Sequence, residues 1–118
     1  MLRYRFWSVV TGAEIDLMAQ IGGGCILPHP NGVVIHPAAK IGVNCLIYQQ
    51  VTIGTRNDDE LSNERVPVIE EHVRIYSGAR ILGHVRISAY ATIGANSVVL
   101  EDVPEKATVV GAPARRIR

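Results

Sequence analysis

Few side chains in this 118-residue chain could act as a base or nucleophile near neutral pH: four histidines and two cysteines. His29 stands apart from the rest. It lies between Pro28 and Pro30, and Asn31-Gly32 completes a turn after it. Each proline holds its own φ near −65° and restricts the residue before it, so "LPHPNGVV" presents the imidazole from a stiff platform. A neutral imidazole held this way is suited to take a proton from a hydroxyl, a service that contributes about 10² to 10⁴ in rate. It works best beside a carboxylate that orients it. Whether one is available depends on the elements around it.

Those elements repeat every six residues. Ile69, Ile75, Ile81, Ile87, Ile93 and Val99 stand six apart, as do Ile35, Ile41, Ile47 and Ile53, and before them Ile15, Ile21 and Leu27. Four residues after each mark comes a small or β-branched residue, among them Ala19, Cys25, Ala39, Cys45, Val51, Val73, Ala79, Val85, Ala91, Ser97 and Val103. A six-residue period fits neither a 3.6-residue helix nor hairpin alternation. It fits short flat strands separated by turns, with the aliphatic mark inward and the small residue filling the taper. Three hexads close one triangular coil, and coils stack at about 4.8 Å. The predicted fold is therefore all-β, a parallel β-helix; so many marks in phase argue against chance alternation in a β-sandwich.

The period breaks twice. Two residues are inserted between Leu27 and Ile35, and ten between Ile53 and Ile69. With face A starting at residues 15, 35, 53, 81 and 99, face B takes 21, 41, 69 and 87, and face C takes 27, 47, 75 and 93. The short insertion, with His29, falls on the edge between faces C and A. Glu14 directly precedes the first face A mark, as Val34 precedes the second. The carboxylate is thereby placed on the edge of His29, one coil away, as an orienting acid for a histidine base. The long insertion, "TRNDDELSNERVP", is charged and leaves the A/B edge as a protruding loop over 54–68. The expected organisation is a cap segment over 1–14, the β-helix over 15–108 and a C-terminal segment over 109–118.

The same phase accounts for most other candidates. Cys25 and Cys45 share the small inward slot on successive coils and read as buried thiols. Arg74, Arg80 and Arg86 end consecutive hexads, so they point from three corners and read as solvated turn residues. His72 and His84 read as exposed turn residues, and His36 as outward. No histidine pair has the spacing of a zinc site on one face, so no metal is expected and a γ-class carbonic anhydrase fits poorly. The composition, 47% hydrophobic but 5% aromatic with net charge +1, gives no electrostatic case for nucleic acid. No apolar run has transmembrane length and "MLRYRFWSVVTG" lacks a signal peptide's apolar core, so a cytoplasmic location is expected.

The phrases "GCILPHPNGVVI", "IYQQVTIGT", "ERVPVI", "SGARILGHVRI", "ATIGANSVVLEDVP" and "VVGAPARRI" resemble the hexapeptide acyltransferases, and among them the catalytic domain of serine O-acetyltransferase, over residues 14 to 118. The resemblance implies that the coils are left-handed, which periodicity does not, since parallel crossovers are normally right-handed. It implies acetyl-CoA as co-substrate, His29 as the base and Glu14 as the acid that orients it. Arg65 falls where the family holds the acceptor, in Arg65-Val66-Pro67, with valine in place of the family's histidine. Pro28 replaces the family's aspartate. Asn31 is taken with Arg65 as acceptor-binding. The pantetheine arm would lie along Ser77 and Ala95, with Arg115 on its phosphates. Amides near Gly54 and Thr55 would meet the oxyanion.

Only fourteen residues precede the first coil, and the chain stops at Arg118. The expectation is a short form without the family's N-terminal helical domain and without docking to cysteine synthase. Such short forms act on a sugar or related alcohol, so L-serine is expected to be a poor acceptor. The family assembles as trimers. Because His29 and the Arg65 loop leave different edges, a site shared between subunits of a homotrimer is expected. The alternatives are a true serine O-acetyltransferase, a donor with a longer acyl chain or an amine acceptor, and a non-catalytic trimeric scaffold.

Overall fold

The structure, a computed structural model, describes residues 14–15, 20–29, 31–56 and 65–118. The expected cap segment therefore lies outside the described residues apart from Glu14, as do Pro30 and residues 57–64 of the loop. The described chain winds through five coils of very short strands. The first holds Glu14–Ile15 and Gln20–Ile21 and ends in a bridge between Ile26 and Leu46. The second holds Val34–Ile35, Lys40–Ile41 and Leu46–Ile47, and the third Thr52–Gly54, Val68–Ile69 and Arg74–Ile75. The fourth holds Arg80–Leu82, Arg86–Ile87 and Thr92–Ile93. The fifth holds Val98–Val99, a bridge at Val103 and Thr108–Gly111, after which Ala114–Arg116 folds back antiparallel.

Three parallel sheets result, one for each expected face, and the marks pair in register. Ile15, Ile35, Ile53, Ile81 and Val99 align on face A. Ile21, Ile41, Ile69 and Ile87 align on face B, and Ile47, Ile75 and Ile93 on face C. The aliphatic columns fill the interior: Ile47, Ile53, Ile75, Ile81, Ile87 and Ile93 are fully buried. The described small slots are buried too, except that Cys25, expected as a buried thiol, is only half-buried at the open end of the stack; Ala19 lies outside the described residues. Ser97 is the polar member of that set, and its Oγ accepts a hydrogen bond from the Gly111 amide at 3.2 Å.

Two expectations change. Val103 is not a slot residue: it pairs with Ile87 on face B, so the last A-to-B turn is two residues short and Val109 pairs with Ile93 on face C. The strand Thr108–Gly111 consequently runs across the expected boundary at 108. Arg74, Arg80 and Arg86 lie in strands rather than turns, exposed on faces C, A and B. A residue before an inward mark must point outward in a pleated strand. Arg86 pairs there with Glu70. No helix among the described residues is long and apolar enough to cross a membrane.

Candidate active site

The C/A edge is built from one turn used repeatedly. Three residues after the face C mark comes a left-handed residue, with φ 59° at Gln50, 75° at Gly78 and 57° at Asn96. Each left-handed residue donates its N–H back to the coil before: Gln50 to the Asn31 carbonyl (2.9 Å), Gly78 to Gln49 (3.0 Å), Asn96 to Ser77 (2.9 Å). The edge is thus a hydrogen-bonded column. In the first coil the two-residue insertion delays the left-handed position to Gly32, φ 72°, where an added Cβ would stand 3.1 Å from Gln50 Cγ. His29 is exposed on this widened turn, two residues after the Leu27 mark. In the register of the sheet Asn31 is the residue that aligns with Gln49, Ser77 and Ala95 of the next three coils, and His29 lies two residues before it.

Glu14 pairs with Val34 in the sheet, which puts its backbone one coil above the strand that leaves the His29 turn. The carboxylate itself lies outside what is described. Asn31 is exposed and its carbonyl carries the bond from Gln50. The residue that periodic counting already indicated but that was not assigned a role is Gln49, between His29 and Ser77. Its side-chain Oε1 is buried with no hydrogen-bond partner among the described residues. The rings of Tyr48 and Tyr76, one residue earlier in their coils, stack at 5.1 Å with 14° between planes and wall this edge on the face C side.

The A/B edge carries the remaining candidates. Thr52–Gly54 ends there, and Gly83 of the next coil donates its N–H to the Gly54 carbonyl at 2.9 Å. A Cβ on Gly54 would meet nothing within 4 Å, so a ligand has room to approach that backbone. The loop returns to the prism at exposed Arg65, followed by buried Val66 and Pro67. Val66 supplies packing where an imidazole would supply a polar contact. Arg115 lines a cavity of about 510 Å³ at the C-terminal end, together with Arg56, Arg116 and the turn from Val99 to Pro104. One chain therefore brings His29, Asn31, Ser77 and Ala95 to one edge, and Gly54, Thr55 and Arg65 to another.

The other histidines and the cysteines have structural work. His72 is not a freely exposed turn residue: it is left-handed, φ 56°, half-buried, and stacked on Tyr90 at 4.7 Å. His84, at the same hexad position but on the A/B edge, is exposed, and there Gly83 carries the positive φ. The Nδ1 of His36 accepts from the Ala38 amide at 3.0 Å. Cys25 and Cys45 donate to the carbonyls of Gly42 and Glu70 at 3.2 and 3.1 Å. The adjoining Cys25 thiol and then burial push the Cys45 thiol well above its ordinary range, so it stays protonated. The described residues contain no cluster of three or more metal-binding side chains.

The fold is a three-sided parallel β-helix of six-residue repeats, and residues 67–101 match the family described as bacterial transferase hexapeptide (six repeats). The coils are the left-handed ones of that family. Within it the chain is similar to serine acetyltransferases. It is 44% identical over 109 residues to that of Synechococcus elongatus, covering 92% of this chain and 44% of the relative. Soybean serine acetyltransferase complexed with serine superposes with TM-score 0.86 at 40% identity, over 93% of this chain and 44% of that one. A serine acetyltransferase in complex with CoA superposes with TM-score 0.83 at 41% identity, again over 93% and 44%. The chain spans about half the length of the curated relatives it matches.

Proposed function

We propose that the chain transfers an acetyl group from acetyl-CoA to a hydroxyl, with His29 as the base. The observation that carries this is the C/A edge: the widened first turn exposes an imidazole two residues before Asn31, and the small or half-exposed side chains of Gln49, Ser77 and Ala95 follow Asn31 in register, leaving a track for an extended arm. His29 takes the proton as the hydroxyl oxygen attacks the thioester carbon. The carbonyl electrons move to oxygen, return as the C–S bond breaks, and the departing thiolate receives the proton from His29. No covalent enzyme intermediate is needed: Cys45 is buried and stays protonated, and Cys25, though its hydrogen bond with Cys45 lowers its pKa to about 6, lies in the slot after a face B mark and not on the His29 edge. Glu14 orients the imidazole, Arg65 and Asn31 hold the acceptor, and Arg115 meets the CoA phosphates. The site is completed across a trimer interface, because the two edges of one chain diverge.

The acceptor we favour is L-serine, reversing the sugar acceptor expected from the sequence. Relatives at 43–44% identity over 92% of this chain carry the serine acetyltransferase name, and the superposed soybean protein holds serine. A second reading keeps a cyclic alcohol as acceptor, supported by buried Val66 in place of a loop imidazole and by the stacked Tyr48–Tyr76 wall, an apolar surface suited to a sugar ring. Mass spectrometry of reactions with acetyl-CoA and either L-serine or a panel of monosaccharides decides between them: O-acetylserine formation at sub-millimolar KM supports the first. Failure to bind CoA at millimolar concentration by calorimetry would refute both.

A further inference from the structure

We propose that the side-chain carboxamide of Gln49 donates a hydrogen bond to the thioester carbonyl oxygen as that oxygen becomes negative. The proposal rests on the acetyl-transfer reading and adds a catalytic residue to it. Its first ground is position. Asn31, Gln49, Ser77 and Ala95 occupy equivalent places on four successive coils, tied by the bonds from Gln50 to Asn31, Gly78 to Gln49 and Asn96 to Ser77, and His29 stands two residues before Asn31 on the widened turn of the first coil. If His29 faces the attacking hydroxyl and the arm runs past Ser77 and Ala95, the thioester joining them has one layer to occupy. Coils stack at about 4.8 Å, so that layer is the one holding Gln49.

The second ground is the state of the side chain. Its Oε1 is buried without a partner among the described residues, although buried polar groups are nearly always paired. No hydrogen bond fixes which way the amide faces, and the terminal torsion of glutamine is broad and roughly two-fold. The group is anchored at its own backbone, whose carbonyl accepts from Gly78, and it stands next to the Tyr48–Tyr76 wall. An unspent carboxamide thus sits where a carbonyl oxygen would develop charge. The third ground is the division between edges. The backbone donors near Gly54 and Thr55 leave the A/B edge, so within one chain the carboxamides at the head of this edge are Asn31, in the layer of the base, and Gln49, in the layer assigned to the thioester.

In the reaction, the hydroxyl oxygen bonds to the thioester carbon, its proton passes to His29, and the displaced carbonyl electron pair rests on the oxygen facing Gln49 Nε2. The pair returns as the C–S bond breaks, and the thiolate takes the proton back from His29. Nothing is oxidised or reduced.

The test compares Gln49→Met and Gln49→Glu with the wild type, using acetyl-CoA with L-serine as the probe acceptor and slow acetyl-CoA hydrolysis as an acceptor-free readout. Removal of one oxyanion donor should lower kcat about 10²- to 10³-fold. The KM for acetyl-CoA and the CoA Kd should stay within about threefold, and Gln49→Glu, which sets negative charge against negative charge, should be the slower variant. Infrared difference spectra of bound acetyl-CoA labelled with ¹³C at the carbonyl give a readout that packing alone does not move. The band should lie at lower frequency in the wild type than free in water, and return toward the free position in Gln49→Met. A Gln49→Met variant that keeps more than half the wild-type kcat overturns the proposal. So does an unshifted band, whatever kcat does, which covers a variant that folds poorly. A wild type that binds CoA but neither transfers nor hydrolyses the acetyl group sinks the acetyl-transfer reading and this proposal with it; an active wild type with an indifferent Gln49 sinks only this one.

Discussion

The C/A and A/B edges of the prism solve the same problem, turning the chain by a third of a coil, in different ways. On the C/A edge each turn places a left-handed residue third after the mark and returns its N–H to the coil before, at Gln50, Gly78 and Asn96. On the A/B edge that left-handed ladder is missing among the described residues: Gly83, second after its mark, carries the positive φ, and one turn opens into the loop ahead of Arg65. A turn repeated in register makes a track, because equivalent side chains fall about 4.8 Å apart along it. A turn expanded once makes a projection. On the proposed reading the track would take the extended donor and the projection would meet a second chain's track, with the widened His29 turn at the head of the track as the base.

The largest effect expected on this division is at the head of the track. His29→Ala should lower kcat by about two to four orders of magnitude, with CoA affinity by calorimetry nearly unchanged. A variant keeping more than half its activity would remove His29 from the chemistry and leave the track without a reactive end. Arg65→Ala, on the other edge, should raise the acceptor KM about ten- to a hundredfold, the worth of a charge-assisted hydrogen bond of roughly 1.5–3 kcal/mol. The two variants test whether the edges meet between chains. Unfolded and refolded as an equal mixture, they should regain activity near the roughly one quarter of interfaces in a closed cyclic trimer that pair an intact histidine with an intact arginine. A mixture no more active than the mean of the two separate variants, assayed well below the raised acceptor KM and with subunit exchange demonstrated, would place each site within one chain.

Smaller effects should separate the edges by backbone chemistry. Gly32→Ala forces a Cβ into the left-handed region and to 3.1 Å from Gln50 Cγ, and should cost about 1–2 kcal/mol in denaturant unfolding. Gly54→Ala places its methyl in open space and should leave stability within about 0.5 kcal/mol. Its effect should be seen in the acetyl-CoA KM, since the added carbon stands where a ligand approaches the neighbouring backbone. Equal destabilisation by the two substitutions would mean that the edges are not built differently.

The fold was legible because its repeat is written at every sixth residue. A period of six with an aliphatic mark and a small slot admits few solutions, and the marks fell on the expected faces as far as Val99. Val103 was misplaced because a valine serves equally as a mark or a slot residue, and the two-residue shortening of the last A-to-B turn leaves no signature in composition. Histidines at equal hexad positions, His72 and His84, came out differently because the period does not encode which side chains stack between coils, as His72 does on Tyr90. The track residues Ser77 and Ala95 were assigned through resemblance, whereas Gln49, in phase with them, was passed over: a position in a repeat says where a side chain stands and not whether it has a partner.

By itself the sequence determined the faces, the register and the edge on which His29 stands, since those follow from counting along a chain whose every coil must bury its aliphatic residue. Tertiary structure decided what lies beside what between coils. The bond from Gln50 to the Asn31 carbonyl, the stacking of Tyr48 on Tyr76 and the unpartnered Gln49 oxygen join residues that are neighbours only once one coil rests on the next. Contacts of that kind depend on stacking distance and turn conformation, and no period along a single chain specifies either.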